Sequence, residues 1–533
     1  MRCHCLLLLG LAACGGAVLE GEPAGRLGPD ITPAPATLHR LTSLQYQNTV
    51  RDLFGSWIQV PTDLDVDTPL HGYRSIGASA LTISERAAEQ YEAAALSLAR
   101  QVFGDAARRQ ALLGCAPSAP DDACARSALL RLGRRVWRRP LQPDELEGLL
   151  RLSRQVAASL QSNLAGLEYA TAALLQSPHF LFRVERGEPD PEHPGSLRYT
   201  AYEMASRLSY FLWNSGPDEA LLDAAERGEL LHEAGLRTQT ARLLAAPPAR
   251  AALAGFFAEL FALERLGHVV KDAALFPQFR PSLVEAMRQE VLRQVDELVF
   301  VRNGDYRDLL DGDITFVNGE LARLYGLPGV SGPDLVRTQL PAGRRAGLLG
   351  TAAVLSLHAH ATLTSPTLRG KFVRQQLLCQ DIPPPPPGVT TSLPPPTGRP
   401  QTVRERLAQH RQDPACRSCH ERMDPLGLGL EHFDPIGAFR TQDNGLPVDG
   451  RGDLDGTPFE GPRELGRLLR GHAAIGLCLV RQLYRHATGH LESAAEEAGV
   501  QALWQRFVRG HNVKELVYDL VLSDGFRRAS APQ

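Results

Sequence analysis

The residues with the clearest chemistry form a Cys-x-x-Cys-His run, Cys416 to His420, within HRQDPACRSCHERMDPLGLGLEHFD. Two thiols three residues apart can bond to the two vinyl groups of a haem, and the adjoining His420 then becomes an axial ligand of the iron. The spacing predicts one covalently attached haem c, with Cys416 and Cys419 as anchors and His420 as the proximal ligand.

Other kinds of site share this spacing. A structural zinc site needs four ligands, and after His420 the nearest candidates are the isolated His432 and His472. A thioredoxin-like dithiol is typical of a βαβ unit, which the helical pattern here does not favour. A zinc site and a plain disulfide between Cys416 and Cys419 stay open as alternatives.

The sixth iron ligand has several candidates. Met423 lies three residues after His420 on the same helical face, so it cannot reach the opposite side of the ring and is expected in the core. A histidine or an open site remains, and only an open site permits peroxide or dioxygen chemistry, so whether the protein is an enzyme stays undecided. The candidate distal histidines are His358, His360, His472, His486 and His490.

An arginine beside a haem can pair with its propionates. Arg440 is the best candidate because it lies in the same module as the cysteines. An ordinary ion pair with Asp or Glu is the alternative interpretation.

The N-terminus, MRCHCLLLLGLAACGG, has one basic residue followed by a short apolar segment. It is too short to span a bilayer and indicates a secretory signal. Small residues before Cys14 resemble a bacterial lipoprotein signal, in which that cysteine becomes the acylated first residue, and Gly15 resembles the outer-membrane sorting pattern. The expected product is an outer-membrane lipoprotein facing the periplasm or the cell surface; a cleaved signal without lipid is the alternative.

The composition indicates a globular chain, with 57 Lys and Arg against 60 Asp and Glu and 43% hydrophobic residues. This balance gives no support for a nucleic-acid partner. No later segment has about 20 uninterrupted apolar residues, so the lipid is the expected membrane attachment. Hydrolase and nucleotide-dependent classes lack support because their characteristic motifs are missing from the sequence.

The remaining cysteines suggest disulfides in an exported protein. Cys115 and Cys124, in CAPSAPDDAC, predict a local bridge, with two free thiols as the alternative. Cys379 and Cys478 could form a long-range bridge or stay buried thiols.

Apolar residues spaced three or four apart recur along the chain and predict a mainly α fold. Capping boxes are expected at Thr42 with Gln45 and at Thr82 with Glu85. Strand-like alternation is expected only in 440–458. Helical periods cover 142–159, 163–176, 200–213, 234–264, 281–301, 369–380, 475–488 and 513–523.

The strongest boundary is DIPPPPPGVTTSLPPPTGRP, residues 381–400. Consecutive prolines cannot continue a helix and form a stiff polyproline strap. The strap is expected to join a multi-helix body to a small, α-helical, cytochrome-c-like C-terminal module. The predicted domains are a signal 1–14, a tether 15–36, helical domains 37–110, 111–190 and 191–340, connecting helices with the strap 341–400, the CxxCH module 401–460, and a C-terminal helical domain 461–530.

Long motifs add a resemblance. The order of RLTSLQYQNTVRDLFG, LLRLGRRVWRRPLQPDELEGLL, LRYTAYEMASRLSYFLWNSGPDEALLDAAERGEL and RRAGLLGTAAVLSLHAHATLTSPTLRGKF, followed by the CxxCH stretch and residues 462–527, resembles a family of large exported cytochrome-c-like proteins of planctomycetes and myxobacteria. That family is built from five consecutive domains of unknown function. The resemblance implies haem binding and an envelope location.

Two functions follow from these patterns. The first is an outer-membrane-anchored monohaem c-type cytochrome-like protein, which passes electrons to or from an unknown envelope partner or performs redox chemistry. The second is a lipid-tethered scaffold or binding protein for a partner protein or a glycan, without a catalytic haem.

Overall fold

The computed structural model describes residues 31–80, 82–384, 398–412 and 414–531. Helix makes up 57% of the structure and strand 9%, which confirms the mainly α prediction. The signal, Cys14, most of the tether and most of the proline-rich strap lie outside the described residues.

The helices of the described residues vary from one to five turns. They are α1 Ser43–Phe54, α2 Arg74–Ala80, α3 Glu85–Phe103, α4 Ala106–Leu113, α5 Ala123–Val136, α6 Pro143–Leu160, α7 Asn163–Gln176, α8 Pro178–Leu181, α9 Ala201–Trp213, α10 Glu219–Glu226, α11 Glu233–Ala245, α12 Pro247–Leu260, α13 Pro281–Asp296, α14 Asp308–Asp311, α15 Gly319–Tyr325, α16 Ala352–Leu357, α17 Pro366–Phe372, α18 Val403–His410, α19 Pro414–Leu428, α20 Gly461–Gly471, α21 Ala473–Thr488, α22 Glu497–Phe507, α23 Val513–Leu522 and α24 Asp524–Arg527.

The strands are short and pair antiparallel as β1–β2, β3–β4–β11, β5–β6, β7–β8 and β9–β10. They are β1 Leu38–Arg40, β2 Phe182–Val184, β3 Glu188–Pro189, β4 Ser196–Arg198, β5 Ile314–Val317, β6 Val336–Gln339, β7 Gln442–Asp443, β8 Leu446–Pro447, β9 Arg451–Leu454, β10 Thr457–Glu460 and β11 Arg528–Ser530.

The strand prediction was correct for β7 to β10 but too narrow. Sheets also form outside 440–458, and two of them join segments far apart in sequence, β1 with β2 and β4 with β11. A strand of two to four residues shows too little alternation to be recognised in the sequence. Pairing between distant segments then decides whether it forms.

Of the two predicted capping boxes, the structure contains one. The capping box of Thr42 and Gln45 is present at α1. At α3 the N-cap is Ser84, whose hydroxyl accepts from the Ala87 backbone N–H, so the predicted box at Thr82 was wrong. Glu85 becomes the first helical residue, too early in the helix to close a box.

The single period over 234–264 is two helices, α11 and α12, which meet at 86°. Pro247 begins α12, and its ring and missing N–H prevent α11 from continuing through it. No single helix among the described residues is long and apolar enough to cross a membrane. Taken together, the bent pair of α11 and α12 has the length and the apolar composition of a membrane span, and these two properties alone make it a candidate.

The described residues bury two hydrophobic cores. The first is built by α1, α3 and α5 to α8. The second combines α9 to α17 with α19 to α23, because α23 packs on α11, α21 on α12 and α20 on α14. Helices α19 to α23 after the strap therefore share the core of the central region, whereas Val403 and Leu407 of α18 pack with Leu428 in a small separate cluster.

Both predicted cysteine pairs are bridged in the structure. Cys115 is joined to Cys124 with a Cα–Cα distance of 5.9 Å, and closes the loop between α4 and α5. Cys379 is joined to Cys478 with a Cα–Cα distance of 5.3 Å. The second bridge links the segment after α17 to α21 across 99 residues and adds to the shared core.

A buried carboxyl lies where α13 meets β5 and α15. Glu290 is 1% exposed and accepts hydrogen bonds from Thr315 and from the Tyr325 hydroxyl, the latter at 2.6 Å. The Arg345 guanidinium lies 3.7 Å from the centre of the Tyr325 ring. Burial raises the pKa of Glu290 to about 7.

Glu290→Gln is expected to flatten the pH dependence of stability. The folded-state pKa lies above the ordinary value of 4.5, so the native chain loses stability as pH rises from about 4.5 to about 7. Glutamine cannot ionise, so the variant should gain ~3 kcal/mol relative to the wild type over this interval. Urea unfolding at several pH values measures this difference.

The matched control is Glu285→Gln on the exposed face of α13. Arg288 lowers the pKa of Glu285, so its substitution should not produce a gain between pH 4.5 and 7. The prediction is contradicted if the free energies of unfolding of wild type and Glu290→Gln change with pH in the same way.

Candidate functional site

The Cys-x-x-Cys-His run lies on α19, which begins at Pro414 and ends at Leu428. Four-residue spacing puts Cys416 and His420 on one face of the helix. Cys416 is 7% exposed and Cys419 is half-buried. Neither cysteine takes part in the two disulfides.

The His420 ring is held by Asp424, one turn further along α19. Nδ1 of His420 lies 3.0 Å from each carboxylate oxygen, and because a carboxylate only accepts, the ring donates from Nδ1. Asp424 is completely buried and also accepts from Thr367 Oγ1 at 2.8 Å. A proton on Nδ1 puts the ring lone pair on Nε2, the tautomer in which Nε2 can bind a metal.

Two glycines allow α17 and α19 to cross at backbone contact. A Cβ on Gly427 would lie 1.9 Å from the Pro366 carbonyl oxygen, and a Cβ on Gly370 would lie 1.9 Å from that of Met423. Only glycine permits this approach. The crossing brings Thr367 of α17 beside Asp424 of α19 and so completes the support of the His420 ring.

Asp424 and Thr367 are the site residues that the sequence analysis missed. The four-residue spacing from His420 to Asp424 on a helix was an available signal, since such a pair shares a face. Thr367 gave no signal, because it comes from another helix. Met423 is 5% exposed, as expected for a core residue.

His358 is the candidate distal histidine that contacts α17. Its ring centre lies 4.7 Å from that of Phe372. Burial, with Arg265 and Arg369 nearby, lowers its pKa to about 3, so the ring is neutral at physiological pH. Its Nε2 is buried and has no hydrogen-bond partner among the described residues.

The other candidate histidines have different surroundings. His360 is exposed on the same loop as His358. Nδ1 of His472 accepts from the Ala474 backbone N–H and caps α21. Nδ1 of His486 lies 3.4 Å from Glu259.

His490 Nε2 lies 3.0 Å from Glu496. Neither this contact nor that of His486 involves α17 or α19. The described contacts therefore do not bring His486 or His490 to the Cys-x-x-Cys-His helix.

Arg440 is engaged by carboxylates. Its Nη2 lies 2.8 Å from Glu431 and its Nη1 lies 3.0 Å from Asp443, while its Nε donates to the Glu431 carbonyl. Glu431 also pairs with the fully buried Arg369 at 3.2 Å. These contacts agree with the interpretation that Arg440 forms ordinary ion pairs with carboxylates, rather than with the prediction that it pairs with a haem propionate.

Within the residues that the structure describes, no group of three or more His, Cys, Asp or Glu side chains is arranged to hold a metal ion. The cysteines and His420 can instead hold a group that brings its own equatorial ligands. Two thiols one turn apart and an imidazole fixed by a buried carboxylate fit haem c in donor type and spacing.

Five family models match consecutive parts of the chain, each described as a protein of unknown function. The chain has the five-domain organisation of the multi-domain, cytochrome-like family. The Cys-x-x-Cys-His run falls within the fourth match, whose name, PSCyt3, is cytochrome-like. The matches are DUF1587 over 39–104, DUF1595 over 124–185, DUF1592 over 199–327, DUF1588 over 345–443 and DUF1585 over 455–526.

The five matched ranges are distributed over the two hydrophobic cores. Most buried residues of the first two lie in the first core, although Tyr73 and Ile76 of the first belong to the second core, to which the last three also contribute. No curated protein and no solved structure matches the chain.

Proposed function

We propose that the five-domain chain is a monohaem c-type cytochrome-like protein for electron transfer or redox chemistry in the bacterial envelope. The observation that carries this proposal is the hydrogen bond from His420 to the buried Asp424, on the helix that also holds Cys416 and Cys419. A histidine that binds a metal commonly donates its other ring N–H to such a carboxylate.

The residues of the chain have distinct parts in this proposal. Cys416 and Cys419 would hold the haem by thioether bonds, and His420 would be the proximal iron ligand. A bound haem supplies one-electron redox chemistry. Asp424 keeps the imidazole oriented and electron-rich, and Thr367 fixes the carboxylate that does so.

The experiment is a spectrum of the mature protein, expressed with the periplasmic cytochrome-maturation machinery. We expect a Soret band, a pyridine haemochrome spectrum of the c type and a haem-staining band after denaturing electrophoresis. Mass spectrometry that finds the two sulfurs free, or joined to each other, in protein from the natural host would refute the proposal. Zinc in place of haem would refute it equally.

Export by a lipoprotein signal is the second part of the proposal. Cys14→Ser is expected to abolish acylation and to remove the chain from the outer-membrane fraction, because the N-terminal lipid would be its anchor. Labelling with a fatty acid and density-gradient fractionation measure both effects.

Cys5→Ser is the control for the anchor, because Cys5 belongs to the segment that cleavage would discard. This variant should be acylated and sorted like the wild type. Equal membrane attachment of wild type and Cys14→Ser would contradict the lipid anchor.

A further inference from the structure

A cavity of about 510 Å³, lined by both polar and apolar side chains, lies where the first core meets the second. Its walls come from α1 and α2, from α9 and α12, and from α21. Small-molecule sites commonly have volumes of roughly 300–1,000 Å³ and occur where separate parts of a chain meet. None of the described residues that line it belongs to α17 or α19, so it is distinct from the candidate haem site.

The charges along this wall are balanced. Arg40 pairs with Asp67 at 3.1 Å, and Arg74 pairs with Glu259 at 3.3 Å. Burial, with Arg183 nearby, lowers the pKa of His39 to about 3 and keeps it neutral. The arginines and carboxylates of the wall are equal in number: Arg40, Arg74 and Arg183, and Asp67, Glu259 and Glu264.

Balanced charge gives little attraction for an ion of either sign, because a net field is what concentrates charged ligands. An uncharged ligand avoids the cost of separating the existing ion pairs. The cavity therefore favours a neutral molecule.

Several polar atoms of the wall are buried without a hydrogen-bond partner among the described residues. Leaving such a group unpaired is unfavourable, so a cluster of them calls for a functional explanation. A guanidinium nitrogen only donates, whereas a hydroxyl oxygen can also accept, so both kinds are represented. These atoms are His39 Nδ1, Arg40 Nε and Ser75 Oγ.

The same wall has partly exposed polar side chains and two aromatic rings. Ser43, Gln45 and Asn214 present hydroxyl and amide groups, and Tyr210 and Phe211 come from α9. Hydroxyl groups both donate and accept, so a ligand rich in them matches a wall of mixed donors and acceptors.

We propose that this cavity binds an uncharged, polyhydroxylated ligand of the size of a mono- or disaccharide. The site is independent of the haem and gives the chain a ligand-binding activity in addition to the proposed redox activity. Its position links segments from the first, second, third and fifth matched domains, so a ligand would stabilise their packing.

The test is isothermal titration calorimetry of the mature full-length protein. The neutral probes are glucose, N-acetylglucosamine and their β-1,4-linked disaccharides; gluconate and glucosamine are the charged probes. We expect at least one neutral probe to bind with a dissociation constant of about 1 mM or lower. Its charged counterparts should bind at least about tenfold more weakly, a difference of ~1.4 kcal/mol.

Two variants test the location of the site. Ala78→Leu adds bulk to the wall and should abolish binding, and His486→Gln should weaken it about tenfold. His268→Gln is the control because His268 is exposed and does not line the cavity. Melting temperatures and the haem spectrum show whether each variant is folded, which separates this result from the test of the haem.

The proposal is overturned if no neutral probe binds at millimolar concentration, or if gluconate binds as tightly as glucose. It is also overturned if folded Ala78→Leu and His486→Gln bind the probe like the wild type. If Ala78→Leu does not fold, His486→Gln against His268→Gln decides the location alone.

Discussion

Replacing both Cys416 and Cys419 by serine is expected to eliminate covalent haem completely, so that the haem-staining band disappears after denaturing electrophoresis. Serine cannot form a thioether. Each single substitution should leave at most one bond and strongly reduce the yield of holoprotein. The two described disulfides join Cys115 to Cys124 and Cys379 to Cys478, so the substitutions leave both of them intact and the loss should be chemical rather than structural.

Cys115→Ser is the matched control for this experiment. It breaks the bridge to Cys124 in the first core, so it removes a cysteine without touching α19. The control should retain the band even if its melting temperature falls. Circular dichroism of the double variant should show the helical content of the wild type, and a band that persists in the folded double variant would contradict the attachment.

Gly427→Ala is expected to destabilise the chain by about 3 kcal/mol or more, because overpacking at a tight contact forces the backbone to move. The added Cβ would meet the Pro366 carbonyl oxygen at 1.9 Å, and the neighbouring atoms of Pro366 are within 2.4 Å. A backbone atom cannot turn aside as a flexible side chain can. The substitution should push α19 away from α17 and weaken the contact of Thr367 with Asp424.

Urea unfolding measures this loss, with Gly148→Ala as the control. Gly148 lies inside α6, and an added Cβ there would have a side-chain nitrogen of Arg151 as its nearest neighbour, at 3.9 Å. Replacing this open helical glycine should stabilise the chain by up to ~1 kcal/mol. If the two variants have the same free energy of unfolding, the close crossing of α17 and α19 is wrong.

A comparison of α1 with α3 shows how far local sequence determines the helices. Thr42 and Gln45 satisfy each other's backbone groups within one turn, so the start of α1 could be predicted from four residues. At α3 two hydroxyl residues lay close together, and Ser84 rather than Thr82 became the cap. The sequence therefore predicted that α3 is a helix, but it did not predict which residue caps its first turn.

The sequence by itself determined the mainly α fold, the Cys-x-x-Cys-His run on one helix and the order of the five domains, because capping, helical periodicity and motif spacing depend on neighbouring residues. Only the tertiary structure decided that α20 to α23 share the central core, that Thr367 reaches Asp424, and that α1, α9 and α21 line one cavity. Such contacts join residues tens to hundreds of positions apart. They depend on which faces pack together, and the spacing of residues along one segment does not specify that choice.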